Sequence, residues 1–526
     1  MTTILTVVTT VLLFAAYALD CGVLTLHYVH MLQLNSYRPE RYVRWMKENR
    51  TALFNQLGWL ALAFVAVAAF LLKPTDWQVR GACAALLAIH FVLNLPKKAK
   101  KPLVFTHRVQ RLLATLAVLL AAVGLVVYFT GMVRLSVGLL FLWPVLTPLA
   151  VLAANYINHP VEAAISRRYV NDARRRLEGM PRLITIGITG SYGKTSTKNF
   201  LNALLSVKYN VLMTPESYNT TMGVVRTVRE RLLPTHEVFI AEMGAKNVGD
   251  IREICDLVHP RYGVITAIGE QHLETFGTVE NIVKTKFELA DAVPPDGKVF
   301  LNADNEYIRG RMGQVAAPAV TYGAAPDSQA DYRAQEITVG ASGSAFTVVA
   351  PDGESRRFTT KLLGAHNIQN ITGCIAVAHS LGIPLAELVA PVRRLKPVEH
   401  RLQLLPNGYI DDAYNSNPAG FRAALDVLGG FEGQRVLVTP GMVELGERQA
   451  ALNKELGGYA ASRCDYAVLV GEKQAPSLKE GLLEAGFPEE RLFVAKDLAE
   501  GLAWVNGLPA EGRRTVLLEN DLPDNF

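Results

Sequence analysis

Apolar residues run almost unbroken through 4–27, 54–72, 81–95, 112–130 and 135–155, and then the pattern changes. A helix needs about 20 such residues to cross a bilayer. Residues 1–160 therefore predict an all-α transmembrane domain of about five helices. The third run is short and contains His90. From residue 181 short apolar strands alternate with helical stretches, the pattern of a parallel sheet flanked by helices. Strands are expected near 183–188, 209–213, 237–242, 262–267 and 297–301, with a helix over 278–291.

Charge sharpens the picture of the first part. The segment 28–53 carries Arg38, Arg41, Arg44, Lys47 and Arg50, and 96–111 carries Lys97, Lys98, Lys100, Lys101, Arg108 and Arg111. Arg167, Arg168, Arg174, Arg175 and Arg176 follow in a basic linker at 161–180, whereas the alternate loops hold only Lys73, Arg80 and Arg134. Five spans put the three rich segments on one side, which the positive-inside rule makes cytoplasmic, with the N-terminus outside. An integral protein of a bacterial inner membrane is expected, with everything after 156 in the cytoplasm. The net charge is only +5, and the cations cluster beside apolar runs, which argues for a lipid surface and against nucleic acid. The five cysteines are scattered and fit neither a disulfide framework nor a metal pattern. No basic n-region precedes the first apolar run, so no cleavable signal is expected. Residues 39–50 read as an amphipathic helix at the inner surface, with Tyr42 and Trp45 as interface anchors. Asp20 and His27 lie in or near the first span, where ionisable groups are costly. Either packing within the bundle or a lipid head group accounts for them.

The chemistry begins at Ile-Gly-Ile-Thr-Gly-Ser-Tyr-Gly-Lys-Thr-Ser (186–196), a strand running into a glycine turn at a helix start. Such a turn aims backbone N–H groups at phosphate oxygens; Lys194 reaches the terminal phosphates and the Thr195 hydroxyl can ligate Mg²⁺. Ile188 stands where the generic P-loop has its first glycine, leaving Gly187, Gly190 and Gly193 to supply the turn. In open α/β sheets ligands gather at the carboxyl ends of strands. Glu242 ends one strand and can face the nucleotide's Mg²⁺, or cap a helix. His272 follows another strand, and Lys286 lies fourteen residues on.

Together these residues resemble the Mur ligase family of ATP-dependent amino-acid and peptide ligases. The resemblance covers about 181–526 and runs through Thr-Gly-Ser-Tyr-Gly-Lys-Thr (189–195), Tyr-Asn-Thr-Thr-Met-Gly-Val (218–224), Glu-Met-Gly-Ala (242–245), Gly-Asp-Ile (249–251), His272 and Lys286. It continues in Asn-Ala-Asp-Asn (302–305), Gly-Ala-His-Asn-Ile-Gln-Asn (364–370), His-Arg (400–401), Asp-Asp-Ala-Tyr-Asn-Ser-Asn-Pro (411–418) and Gly-Met-Val-Glu-Leu-Gly-Glu (441–447). Order and spacing look most like the branch that adds D-alanyl-D-alanine to a tripeptide stem. The resemblance implies an ATP-binding central domain at 181–401. It also implies a Rossmann-like C-terminal domain at 402–526, with strands near 435–439, 466–470 and 514–518.

Roles follow by the same resemblance. Gly190, Ser191, Gly193, Lys194, Thr195 and Ser196 would hold the ATP phosphates. Thr195 and Glu242 would ligate one Mg²⁺, and His272 a second together with Lys286 as its carbamate. Asn302 would contact adenine, and Arg401 and Asp412 would reach the nucleotide from the hinge and the last domain. Asn219, Thr220, Asn415 and Asn417 are expected at the substrates. The family phosphorylates a carboxylate with ATP, and an amino acid or dipeptide such as D-Ala-D-Ala then displaces the phosphate. One departure stands out, because family members begin with a domain that grips UDP and this chain has apolar runs there. A peptide-bearing or lipid-linked cell-wall precursor, held at the membrane lipid, suits that replacement, unless the spans are an anchor alone. Poly-γ-glutamate-type and amidating ligases are alternatives within the family. A P-loop ATPase driving a transporter or sensor is the alternative outside it.

Overall fold

The computed structural model describes residues 2–49, 77–95, 101–129, 133–216, 218–271, 273–414, 416–443, 445–509 and 512–521. The chain divides into a unit ending at Arg167 and a unit from Arg168 to Leu522.

The first unit is helical: Thr2–Leu34, Pro39–Glu48, Trp77–Leu93, His107–Phe129 and the start of Val133–Glu178. Among the described residues, Thr2–Leu34 is the helix long and apolar enough to cross a membrane by length and composition. The run 81–95 lies on the 17-residue helix Trp77–Leu93. Residues 112–129 of the fourth run and the whole run 135–155 fall on the next two helices, and residue 130 and the run 54–72 lie outside the described residues. Asp20 is fully buried and its Oδ1 lies 2.7 Å from His90 Nδ1, so the ionisable residue of the first helix is matched by one on the short helix. Packing within the bundle accounts for Asp20. Tyr42 departs from the expectation of an interface anchor. It is fully buried against Leu32, Val109, Leu112 and Val151, with its hydroxyl on the Pro148 carbonyl at 3.3 Å and its ring stacked on Trp45. The ten-residue helix turns its apolar face to its neighbours because they offer a larger apolar surface than a single helix face can find alone. The segment 161–178, expected as a linker, is helical and continuous with Val133–Glu178.

The second unit holds two sheets. The first has strands β1 (Ile184–Thr189), β2 (Val211–Met213), β3 (Val238–Glu242), β4 (Tyr262–Ile265), β5 (Lys298–Asn302), β6 (Ala319–Gly323), β7 (Tyr332–Gly340), β8 (Gly343–Val349) and β9 (Ser355–Thr360), in the order β2-β3-β1-β4-β5-β6-β7-β8-β9. The strands expected from the sequence are parallel, and the β7–β8–β9 extension is antiparallel. Buried Ile186, Ile188, Ile240 and Val264 pack with the helix Ala365–Ser380 in one core, and Phe239, Ile265, Phe287 and Leu289 form another. Burial on both faces explains why β1 and β3 read as near-continuous apolar runs. The chain steps from β1 outward to β2 and β3 on one side and to β4 and β5 on the other. The turn after β1 therefore sits where the strand order reverses, the place where such sheets bind ligands.

The second sheet has β10 (Gln403–Leu404), β11 (Tyr409–Asp412), β12 (Gln434–Thr439), β13 (Tyr466–Val470), β14 (Leu492–Ala495) and β15 (Arg514–Glu519), ordered β10-β11-β15-β12-β13-β14 and parallel except for β10. The carboxyl ends of β11 and β15 bring Asp412 and Glu519 side by side.

Candidate active site

The turn after β1 is set by two glycines with positive φ. Gly190 has φ 154° and Gly193 has φ 79°. A Cβ at Gly190 would collide with Thr266 Oγ1, and one at Gly193 would come within 2.8 Å of Asn370 Oδ1. Gly187 serves packing and not the turn. A Cβ there would meet Leu289 Cδ1 at 2.6 Å, so the glycine admits the helix Val279–Ala292 against β1. Ser191 also departs from a phosphate-binding role. Its N–H donates to Ala267 O at 2.6 Å and its hydroxyl to Gly269 O at 3.0 Å, so it braces the turn from behind.

Lys194 opens the helix Lys194–Leu205, and its ammonium donates to the Gly190 and Ser191 carbonyls at 2.7 and 3.0 Å. Burial lowers its pKa to about 8, against the pull of Glu242. One turn on, Lys198 is fully buried and its Nζ lies 3.0 Å from Glu242 Oε2. Sequence reasoning missed Lys198. Its spacing of four from Lys194, on the same helix, was the available signal. Glu242 is itself fully buried, and its Oε1 accepts from Thr195 Oγ1 at 3.1 Å and Asn219 Nδ2 at 3.2 Å. A carboxylate and a hydroxyl so close form the oxygen-rich donor set that suits Mg²⁺. Glu242 Oε2 faces the Lys198 ammonium, so the carboxylate is already held as an anion beside Thr195. Lys286 points inward from Val279–Ala292 at 3% exposure, and burial together with the Lys194 charge pushes its pKa well below the usual lysine range. His272 and Asn415 lie outside the described residues.

A cavity of about 700 Å³ opens beside the turn, lined by Gly193, Ser196, Asn302, Asn370, Arg401, Asp412, Asn417 and Arg448 among others. The two α/β domains both contribute to it. Arg401 and Asp412 line the same cavity as Gly193 of the turn. Asn302 is 2% exposed, and its amide is already engaged, donating to Thr266 O at 2.7 Å and accepting from Gln369 Nε2 at 3.1 Å. It shapes the cavity floor. Thr220 caps the helix Thr221–Arg231, accepting from Gly223 N at 3.3 Å, and Asn417 caps Pro418–Gly429 in the same way. His366 and Asn370, from the helix Ala365–Ser380, also line the cavity, and burial lowers His366 to about 4, so it is neutral. Both sit in the motif 364–370, whose run of polar residues at a helix start was the signal.

Fold and site define a nucleotide-binding α/β enzyme with a P-loop at the sheet's switch point. The Mur ligase middle domain matches residues 188–378, and the Mur ligase glutamate ligase domain matches 400–518. The UDP-N-acetylmuramoyl-tripeptide–D-alanyl-D-alanine ligase of Escherichia coli K12 is 32% identical over 340 residues, 64% of this chain and 75% of that protein. The enzyme of the same name from Haemophilus influenzae is 32% identical over 283 residues, 52% of this chain, and the chain spans 61% of its length. Among solved structures, MurF from Acinetobacter baumannii matches with a TM-score of 0.61 at 28% identity, over 67% of this chain and 76% of that one. The chain belongs to the Mur ligase family, a class of ATP-dependent, ADP-forming amide ligases.

Proposed function

We propose that this protein is a membrane-bound ligase of cell-wall precursor synthesis that joins D-Ala-D-Ala, or a related amine, to the carboxylate of a stem peptide. The meeting of Thr195 and Glu242 beside the P-loop lysine, with the adjoining Gly193 and Ser196 lining a cavity built from both α/β domains, is the observation that carries it.

The chemistry follows from what a carboxylate cannot do. It is a poor acylating agent, so its oxygen first takes the γ-phosphoryl group of ATP. The amine lone pair then attacks the acyl carbon, the C–O bond to phosphate breaks, and inorganic phosphate leaves. Phosphoryl transfer asks mainly for positioning and charge neutralisation. The amides around Gly193, with Lys194 and Ser196, would hold the phosphates; Thr195 and Glu242 would hold Mg²⁺, which would supply charge for the developing negative oxygens. Burial and the Lys194 charge favour the neutral amine of Lys286, the form that adds CO2 with loss of a proton to give a carbamate. That anion, with His272, would hold a second Mg²⁺. Arg401 and Asp412 reach the nucleotide from the C-terminal side, and Asn219, Thr220, Asn415 and Asn417 flank the substrates.

The domain reading is a five-span membrane domain at 1–160, a basic segment at 161–180, the central domain at 181–401 and the C-terminal domain at 402–526. Its support is the apolar surface of the first unit. Ile4, Val11, Phe14 and Val118 are all more than half exposed, a surface that water disfavours and acyl chains accept. The basic segments would then face an anionic inner leaflet. With apolar runs in place of a UDP-gripping domain, a lipid-linked acceptor is the favoured substrate. Residues 162–526 expressed alone, offered D-Ala-D-Ala with UDP-linked or lipid-linked tripeptide, test this. The full-length protein should use the lipid-linked acceptor faster, and the fragment should lose that advantage. Equal rates for both proteins on the soluble acceptor, with no gain from the lipid, would make the spans an anchor alone.

A further inference from the structure

The C-terminal domain holds a buried carboxyl pair of which the catalytic reading uses only Asp412. Asp412 and Glu519 are register partners at the carboxyl ends of β11 and β15, and each carboxyl acts on the protonation of the other. Asp412 lines the cavity beside the P-loop, and its Oδ1 accepts from Leu402 N at 3.1 Å. Glu519 stands behind it at 1% exposure, accepting from Ser416 Oγ at 2.6 Å through Oε1. Among the described residues no donor reaches Glu519 Oε2. Two ionised carboxylates do not share such a site.

The division of the proton follows from the surroundings. Burial, then the Asp412 charge, pushes Glu519 well above the usual carboxylate range. Burial also raises Asp412, but the Leu402 N–H, the Glu519 carboxyl and the Arg401 charge hold it to about 6. The Leu402 N–H and the Arg401 charge both lie on the Asp412 side, which favours the anion there and the shared proton on Glu519.

We propose that Glu519 is a positioning residue, a carboxylic acid that donates from behind to Asp412 and aims the Asp412 carboxylate at hydroxyl donors of the bound nucleotide. The arrangement makes a neutral acid useful as a fixed donor, while the accepting carboxylate keeps its charge for the ligand. This inference rests on the nucleotide reading of the cavity. It gives the last residue of β15 a part in binding, although Glu519 does not line the cavity itself.

The test is calorimetric binding of Mg²⁺·ADP to the full-length protein, with the KM for ATP measured alongside. Glu519→Gln keeps a donor of the same shape and should bind within about threefold of the unaltered protein. Glu519→Ala removes it and should weaken binding about tenfold or more, the scale of a lost hydrogen bond to a charged group. Placed on Asp412→Ala, the same change should add nothing, because the two residues act as one unit. Should Glu519→Ala fail to fold by thermal melting, Glu519→Met fills the space without a donor and takes its place. Equal losses in Glu519→Gln and Glu519→Ala, or full additivity with Asp412→Ala, would overturn the proposal. Failure of the unaltered protein to bind Mg²⁺·ADP would overturn the nucleotide reading, and this inference with it.

Discussion

Replacing Lys194 or Glu242 by alanine is expected to cut ligation by about two or more orders of magnitude, the scale of losing a major preorganised electrostatic contact. Lys194 crowns the turn, its ammonium over the Gly190 and Ser191 carbonyls, where phosphate oxygens would draw it forward. Glu242 is reached by Thr195, Asn219 and Lys198 at once. Its loss leaves Lys198 a buried cation without its partner, so part of the damage would be to stability. Glu242→Gln combined with Lys198→Met separates the two effects, since the pair keeps the shape and the contacts to Thr195 and Asn219 without leaving an unpaired buried cation. Its melting temperature should stay nearer to normal while turnover collapses. Rate assays paired with thermal melts check this, and near-normal ligation by a folded variant at either position would remove the proposed site.

Lys286→Ala is expected to be nearly inactive, by about two orders of magnitude or more. Its amine is buried in surroundings that disfavour the ammonium, and it is followed on the same helix by Leu289, which packs at β1 under the P-loop. A carbamate there would turn a disfavoured cation into an anion that faces metal. Short carboxylic acids such as acetate or formate should partly restore the alanine variant, because they return the missing negative charge. Carbon-13 bicarbonate should give a carbamate resonance in the unaltered protein and none in the variant. Full activity of Lys286→Ala, or an unmodified ammonium at the site in the nucleotide complex, would contradict this role.

Much of the site was legible because its residues are adjacent in sequence to the strands that carry them. The P-loop follows β1 directly and Glu242 is the last residue of β3, so a strand pattern and a glycine turn were enough. The partners of these residues were not legible. Lys198 reads as a surface lysine until Glu242 is brought to it from 44 positions away in the chain. His90 answers Asp20 across 70 residues, a pairing that no local pattern encodes. Glu519 ends a strand whose neighbour β11 lies a hundred residues earlier, and only the register shows the pair. The extension β7–β9 escaped for another reason. Its strands alternate buried and exposed positions at the sheet's end, with polar faces that do not stand out from loops. Tyr42 misled because an aromatic on a short basic helix reads as an interface residue, whereas packing against Leu32 and Val151 won.

The central claim, a ligase and not a motor, is tested most directly by phosphate release from the full-length protein in lipid. ATP, Mg²⁺, a stem-peptide acceptor and D-Ala-D-Ala would be supplied together and with each omitted in turn. ADP and phosphate should be released one for one with a new amide product, and only when both acceptor and amine are present. ATP turnover at the same rate without amine, with no peptide product by mass spectrometry, would contradict it.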